Sequence, residues 1–167
     1  GREGADVAAG GALVFTSPPP SALRPQATLV PYKSVDELAS IWMGWSEMEL
    51  RHKKYPEALA VLAEATAVPP ASRRAKEKEG PVQDRLYKFT KLWAFYADLQ
   101  ESLAGFEPTR VTYDKMIELR IVTPQLVLNY AAFLEEHKHF ELAFQAHRRS
   151  REQLAAAAAA AAQQQRS

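Results

Sequence analysis

The densest gathering of chemically capable side chains is EEHKHFE, residues 135–141. Two imidazoles and three carboxylates lie within reach of one divalent cation. A helical zinc pair needs two histidines four residues apart on one face, and the chain has no such pair. His137 and Glu141 also flank a turn signal, so the stretch reads as a solvated helix end. His52, in RHKK, likewise reads as a helix C-terminus, where cations complement the dipole. Glu47 and Glu49 stand two apart, so on a helix their side chains diverge instead of pairing for acid–base work. No Gly-rich phosphate loop, nucleophile elbow or Ser/His/Asp set is legible. The residues therefore point to no enzyme, metal or other cofactor.

Two further groups invite a binding reading. WMGWSEME, residues 42–49, brings two of the three tryptophans together. A ligand cage or a nucleic-acid stacking platform would need exposed rings among basic residues. Here the neighbours are Ser46, Glu47 and Glu49, and the rings fit a packed core better. The stretch 72–91 carries Arg73, Arg74, Lys76, Lys78, Arg85, Lys88 and Lys91 against Glu77, Glu79 and Asp84. It could contact RNA or an acidic partner, though it lacks the aromatic–basic interleaving of a dedicated RNA reader. A net charge of +1 supplies no general attraction for nucleic acid. With no cysteine, disulfides and thiolate metal sites are ruled out.

Helices must position all of these groups. Residues 1–33 are dominated by Gly, Ala, Ser and Pro and read as a disordered lead-in. The chain opens on Gly1, which fits a fragment or a processed product. From Ser34 the pattern becomes helical. Ser34 and Glu37 form a capping box, and Leu38, Ile41, Trp42, Trp45 and Met48 follow at helical steps, predicting a first helix from Val35 to about Lys53. Pro56 opens a second, with Ala58, Leu59, Leu62 and Ala65 inside, ended by Pro69-Pro70. Residues 71–82 read as a loop. A third helix is expected over 83–104, stopped by Gly105, and a fourth from Pro108 to about Leu119, with Val111, Tyr113, Met116 and Ile117 inside. Thr123-Pro124 starts a fifth, running to about His137, and a sixth begins near Glu141. Residues 148–167 form a low-complexity Ala/Gln tail.

Self-comparison turns these helices into a repeat. The segments beginning at Trp42, Trp93 and Val127 align without gaps. Trp45, Tyr96 and Tyr130 follow by three, and Met48, Leu99 and Phe133 by six. Tyr55, Phe106 and Phe140 hold the turn column, Ala58, Thr109 and Ala143 the next, and Leu62, Tyr113 and His147 the last. Glu49, Glu101 and Glu135 recur near the end of each first helix. The second and third units start 34 residues apart, the period of a helix–turn–helix solenoid. The first and second start 51 apart, the excess lying around the 71–87 insertion. The expected architecture is all-α: a solenoid of antiparallel helix pairs over 34–147, with units of about 35–69, 84–122 and 124–150.

Trp-x-x-aromatic, then Glu, then Ala on a second helix, resembles the half-a-TPR (HAT) repeat. The run ELRIVTPQLVLNYAAFLEEHKHFE, residues 118–141, is similar to the pre-mRNA-splicing factors of the Syf family, the XPA-binding protein type. The resemblance covers about residues 34–146. It implies a nuclear, non-catalytic scaffold binding other proteins of a spliceosomal Prp-nineteen-type complex, with a link to transcription-coupled DNA repair in animals. It brings no cofactor, membrane or small-molecule substrate. Alternatives that the residues leave open are RNA contact through 72–91 and a generic TPR-type peptide clamp. Departures from the family pattern are Gln100 at a usual glutamate, Val127 at a usual tryptophan, and the Ala-rich text after Ala146, which reads as a truncated or mispredicted product.

Overall fold

The computed structural model describes residues 26–166, and among them there is no strand. A 3₁₀ turn, Gln26–Leu29, precedes α1 (Val35–Arg51) and α2 (Tyr55–Ala65). A single-turn α3 (Ala71–Arg74) and a 3₁₀ segment, Val82–Lys88, lead to α4 (Thr90–Leu103) and α5 (Phe106–Glu118). Then come α6 (Pro124–Glu136) and α7 (Phe140–Arg166). α1 packs with α2, α4 with α5 and α6 with α7, giving the helix pairs of a solenoid.

Local chemistry explains where these helices start and stop. Ser34 Oγ accepts a hydrogen bond from the Glu37 N–H at 3.2 Å, and Thr123 Oγ1 accepts one from the Leu126 N–H at 3.3 Å. Each bond satisfies a donor that a helix start leaves unpaired. Pro56 and Pro124 sit in the first turn, where a missing N–H costs nothing. Gly105 links α4 to α5 at φ 98 and ψ −167, a region in which a side chain is strained. Lys53, Arg120 and Lys138 take left-handed backbone just after α1, α5 and α6.

Within each pair, small residues set the approach. Ser46, Ala97 and Ala131 stand four after the leading position of each unit, and all are buried. Ala58, Thr109 and Ala143 are equally buried on the second helices. In the first pair the contact is direct, because Ser46 Oγ donates to the Ala58 carbonyl at 3.0 Å.

Two apolar clusters make up the core. One joins Leu38, Trp42, Trp45 and Leu62 to Leu86 and Leu92. The other joins Trp93, Ala97 and Tyr113 to Tyr130, Phe133 and Ala143. Leu92 and Trp93 are neighbours in sequence yet serve different clusters, so α4 is the wall between them.

Several expectations need correction. The helix expected over 83–104 is broken at Phe89, which is extended at φ −80, ψ 101. In an unbroken helix the Tyr87 carbonyl would accept from the backbone four residues on. Here it accepts instead from the Trp93 indole Nε1 at 2.6 Å, and the 3₁₀ segment turns to pack Leu86 against α1. The 71–82 loop contains α3 and is tied to the body, as described below. Of the lead-in, residues 26–33 are part of the fold: Thr28 is buried and Tyr32 packs on the first cluster. The rest of that expectation, residues 1–25, lies outside the described residues. Val111, expected inside, is 57% exposed. The Ala/Gln tail continues α7 as one helix of 27 residues to Arg166, in keeping with alanine's helix propensity.

Candidate interaction surface

The ring columns are the means by which units join. Trp42 and Trp45 are buried with centroids 5.6 Å apart, and the Trp45 Nε1 donates to Glu49 Oε1 at 3.1 Å. Trp93 is buried and tilts against the partly buried Tyr96 at 6.5 Å. Tyr113 of the second unit stacks on Tyr130 of the third at 4.7 Å, and Val127, Ala58, Leu62 and Ala143 are buried. Burial, helped by the charges of Asp98 and Glu101, pushes the Tyr113 hydroxyl up to about 12. Burial and the Asp114 carboxylate push Tyr130 upward as well.

The turn column behaves differently. Phe106 is covered by the following unit, lying between Phe133 at 5.3 Å and His139 at 4.4 Å. Tyr55 and Phe140 were expected in the core, yet they are 43% and 65% exposed. The cover that Phe106 has comes from α6 and the turn after it. For Phe140, in the third pair, no described unit follows. Met48 is also exposed. Of the repeat carboxylates, only Glu49 holds a ring, whereas Glu101 and Glu135 are exposed. Gln100, beside Glu101, is buried, and its Oε1 accepts from the buried Thr112 Oγ1.

His137 and His139 serve packing contacts. His137 Nδ1 lies 2.8 Å from the Phe133 carbonyl, and both rings pack on Phe106. No group of three metal-capable side chains occurs among the described residues.

Polar links between units were missed at the sequence level. Asp114 accepts from the Tyr130 hydroxyl at 2.9 Å and from Arg110 at 3.1 Å, with Arg149 at 3.8 Å. Gln153 Nε2 donates to the Ile117 carbonyl at 2.9 Å, and within the second unit Thr90 Oγ1 donates to the Ile121 carbonyl at the same distance. The Arg110–Asp114 spacing of four was the one available signal.

Two surface features remain. An apolar groove of about 610 Å³ runs between α2, α4 and α5, lined by Leu59, Ala63, Trp93, Tyr96, Val111 and Thr112. Beside it in sequence, the basic insertion is partly neutralised from within. Glu77 accepts from Lys88 Nζ at 2.5 Å and from the Tyr87 hydroxyl at 3.1 Å, and its carbonyl accepts from Arg85 at 2.9 Å. Lys88 is the main cause that holds the Glu77 carboxyl below its ordinary range, and Glu77 in turn raises Lys88. Arg73 pairs with the buried Asp84 at 3.4 Å. Arg74, Lys76, Lys78 and Lys91 are exposed, so four of the seven cations point to solvent without these internal partners.

Comparison with known proteins matches this arrangement. "Pre-mRNA-splicing factor SYF1" of Homo sapiens is 53% identical over 126 residues, covering 74% of this chain and 14% of that protein. "Pre-mRNA-splicing factor cwf3" of Schizosaccharomyces pombe is 45% identical over 126 residues, covering 74% of this chain and 16% of its own length. The Dictyostelium discoideum "Pre-mRNA-splicing factor SYF1" is 43% identical over 118 residues, 71% of this chain and 14% of that protein. The chain thus spans about one seventh of the relatives it matches. Residues 21–159 match the family model described as pre-mRNA-splicing factor Syf1/CRNKL1 C-terminal HAT repeat. Helix pairs joined by ring columns, and a match over most of the sequence, place the chain in one group: it belongs to the Syf1/CRNKL1 C-terminal HAT-repeat family.

Proposed function

We propose that the chain is a non-catalytic scaffold segment of a nuclear pre-mRNA-splicing complex of the Prp-nineteen type, acting by presenting a shaped helical surface to other proteins of that complex. The observation that carries this reading is the use of most rings of the repeat, Tyr55, Phe140 and Phe144 excepted, in inter-helix packing, which leaves a surface and no reaction centre among the described residues. The splicing assignment rests on the relatives' names and on the family match. Affinity spread over an extended solenoid face is the usual mode of such arrays. A role in transcription-coupled DNA repair is the finer extension of the same reading.

Affinity capture from nuclear extract with the tagged chain tests it, read by mass spectrometry against a scrambled-surface control. Enrichment of splicing proteins is expected; recovery of none at low salt would remove the proposal. A second reading, RNA contact, is favoured by the exposed Arg74, Lys76, Lys78 and Lys91. With four phosphates neutralised, the logarithm of affinity for single-stranded RNA should fall with log salt at a slope of about −3. No binding at low salt would leave the protein scaffold alone. A TPR-type clamp would need a set of cations lining the peptide groove, and the 610 Å³ groove is chiefly apolar, with Lys115 its single lining cation and Glu107 its single lining anion.

A further inference from the structure

The two junctions of the array carry the same cavity at different sizes. Between the second and third units a pocket of about 170 Å³ lies among α5, α6 and α7. Every residue lining it stands at the repeat offset of a residue lining the 610 Å³ groove between α2, α4 and α5. That groove has a described unit on either side, so its opening is a property of the junction.

A polar lock closes the smaller pocket. Asp114, 21 residues after Trp93, accepts from the Tyr130 hydroxyl at 2.9 Å and has Arg149 at 3.8 Å. At the first junction Tyr96 takes the place of Tyr130, and Lys115 that of Arg149, so both donors are kept. The acceptor is not. Ala63 stands 21 residues after Trp42, at the offset of Asp114. Gln100 meets the Tyr96 hydroxyl, but its own oxygen is taken by Thr112 Oγ1. Gln100 thus presents its amide N–H to Tyr96, and the tyrosine proton is left to donate into the groove. Lys115 pairs with Glu118 at 3.1 Å, an exposed contact that uses one of its three donors.

We propose that this groove takes an amphipathic helix from another protein of the assembly, and that an aspartate or glutamate on the apolar stripe of that helix stands between the Tyr96 hydroxyl and Lys115, as Asp114 does at the next junction. The inference rests on the scaffold reading above.

The walls dictate a helix. α2, α4 and α5 spend their backbone donors and acceptors within themselves. An extended segment lying there would bury N–H and C=O groups without partners, whereas a helix satisfies its own. From Trp93 to Ala104 the floor of the groove is about 16 Å long, or three turns. Ala60, Ala63 and Ala67 make a flat wall on α2, and Val111 is 57% exposed on the opposite one. The space therefore suits large apolar side chains at steps of three and four, interrupted by one acid. Residues 1–25 do not supply that stripe, since their only acids, Glu3 and Asp6, are followed by Gly10-Gly11, which disfavours helix.

The test places a benzophenone amino acid at Ala67, an exposed position lining the groove, in the tagged whole chain, and irradiates it in nuclear extract. Mass spectrometry then sequences the adduct. The expected adduct is a segment of a splicing protein with an acid three or four residues from large apolar side chains. Ala63→Asp supplies the missing carboxylate from within the chain. Ala63 is exposed, so the helical circular dichroism should be unchanged, and NMR of isotope-labelled tyrosine should show Tyr96 ionising later than in the wild type. The same substitution should reduce the adduct about tenfold, the loss expected when one charge-assisted hydrogen bond is displaced, while proteins captured elsewhere on the chain remain. An adduct with residues 1–25, with a second copy, with RNA or with a segment lacking an acid would overturn the proposal. So would an adduct undiminished by Ala63→Asp, an unmoved Tyr96, or no adduct at all. Recovery of splicing proteins without an adduct removes this inference alone; recovery of none removes the scaffold reading with it.

Discussion

Replacing Trp93 by alanine is the sharpest test of how the units are joined. The ring is 4% exposed and belongs to the core cluster spanning the second and third units. Removing a buried aromatic costs about 3–5 kcal/mol through lost transfer energy and the cavity left behind. Its Nε1 also satisfies the Tyr87 carbonyl, at the break between the 3₁₀ segment and α4. Losing that bond adds about 1 kcal/mol. The neighbouring groove reduces the sum, because the site is open on one side and water can enter. A net loss of about 4 kcal/mol is therefore expected, a large share of a typical total stability of about 5–15 kcal/mol. Trp93→Phe keeps most of the ring but deletes the donor, and should cost about 1–2 kcal/mol. Urea unfolding followed by circular dichroism measures both. With a slope of about 2 kcal/mol per molar, the alanine midpoint should fall by roughly 2 M. A loss under about 1 kcal/mol for alanine, or equal losses for alanine and phenylalanine, would refute the packing account and the assigned role of the indole N–H.

Other outcomes follow from single contacts. Gly105→Ala should destabilise by about 1–3 kcal/mol in the same assay, because φ 98 is strained for any residue with a side chain, although the space beside it is empty. Glu77→Gln should leave the helix content intact while amide exchange quickens across residues 76–88, since Lys88 loses its carboxylate partner and only the Arg85 bond to the Glu77 carbonyl remains. The Glu77 carboxyl is held low in the folded chain, so this tether should persist at neutral pH and be lost as pH falls through the folded value, below the usual ~4.3. On the alkaline side, ultraviolet titration should show Tyr113 ionising near 12 and Tyr130 also late, both above the ~10 of a tyrosine in the unfolded chain. Because the unfolded chain releases those protons first, stability should decline as pH rises above about 10; release of all six tyrosines together in the folded chain would contradict this.

The helix pairs and the faces of Trp42, Trp93 and Tyr113 were legible because large rings at fixed offsets leave a strong pattern. The small residues were less visible. Ser46, Ala97 and Ala131 are as buried as the rings, yet alanine is common enough that its column carries little signal alone. Periodicity also misled where a tertiary bond intervened. Leu86, Phe89 and Trp93 stand at helical steps of three and four in the sequence, but the indole takes the Tyr87 carbonyl and Phe89 becomes the break. Exposure of Tyr55 and Phe140 depends on what lies next to them in space, which an offset within a unit does not encode. The basic insertion was legible as charge but not as structure, since its outcome turns on Glu77 lying between Tyr87 and Lys88.

The adjacency of Leu92 and Trp93 on opposite sides of α4 bears on how the chain is made. During synthesis α1 and α2 emerge before α4, and their cluster lacks Leu86 and Leu92 until the ribosome has passed the start of α4. Until then Trp42 and Trp45 stay incompletely shielded, and the insertion must be laid down before the α1–α2 pair can close. Completion of the α1–α2 cluster is thus timed by residues of the next unit, and nascent chains arrested shortly before Leu92 would expose its tryptophans to a chaperone.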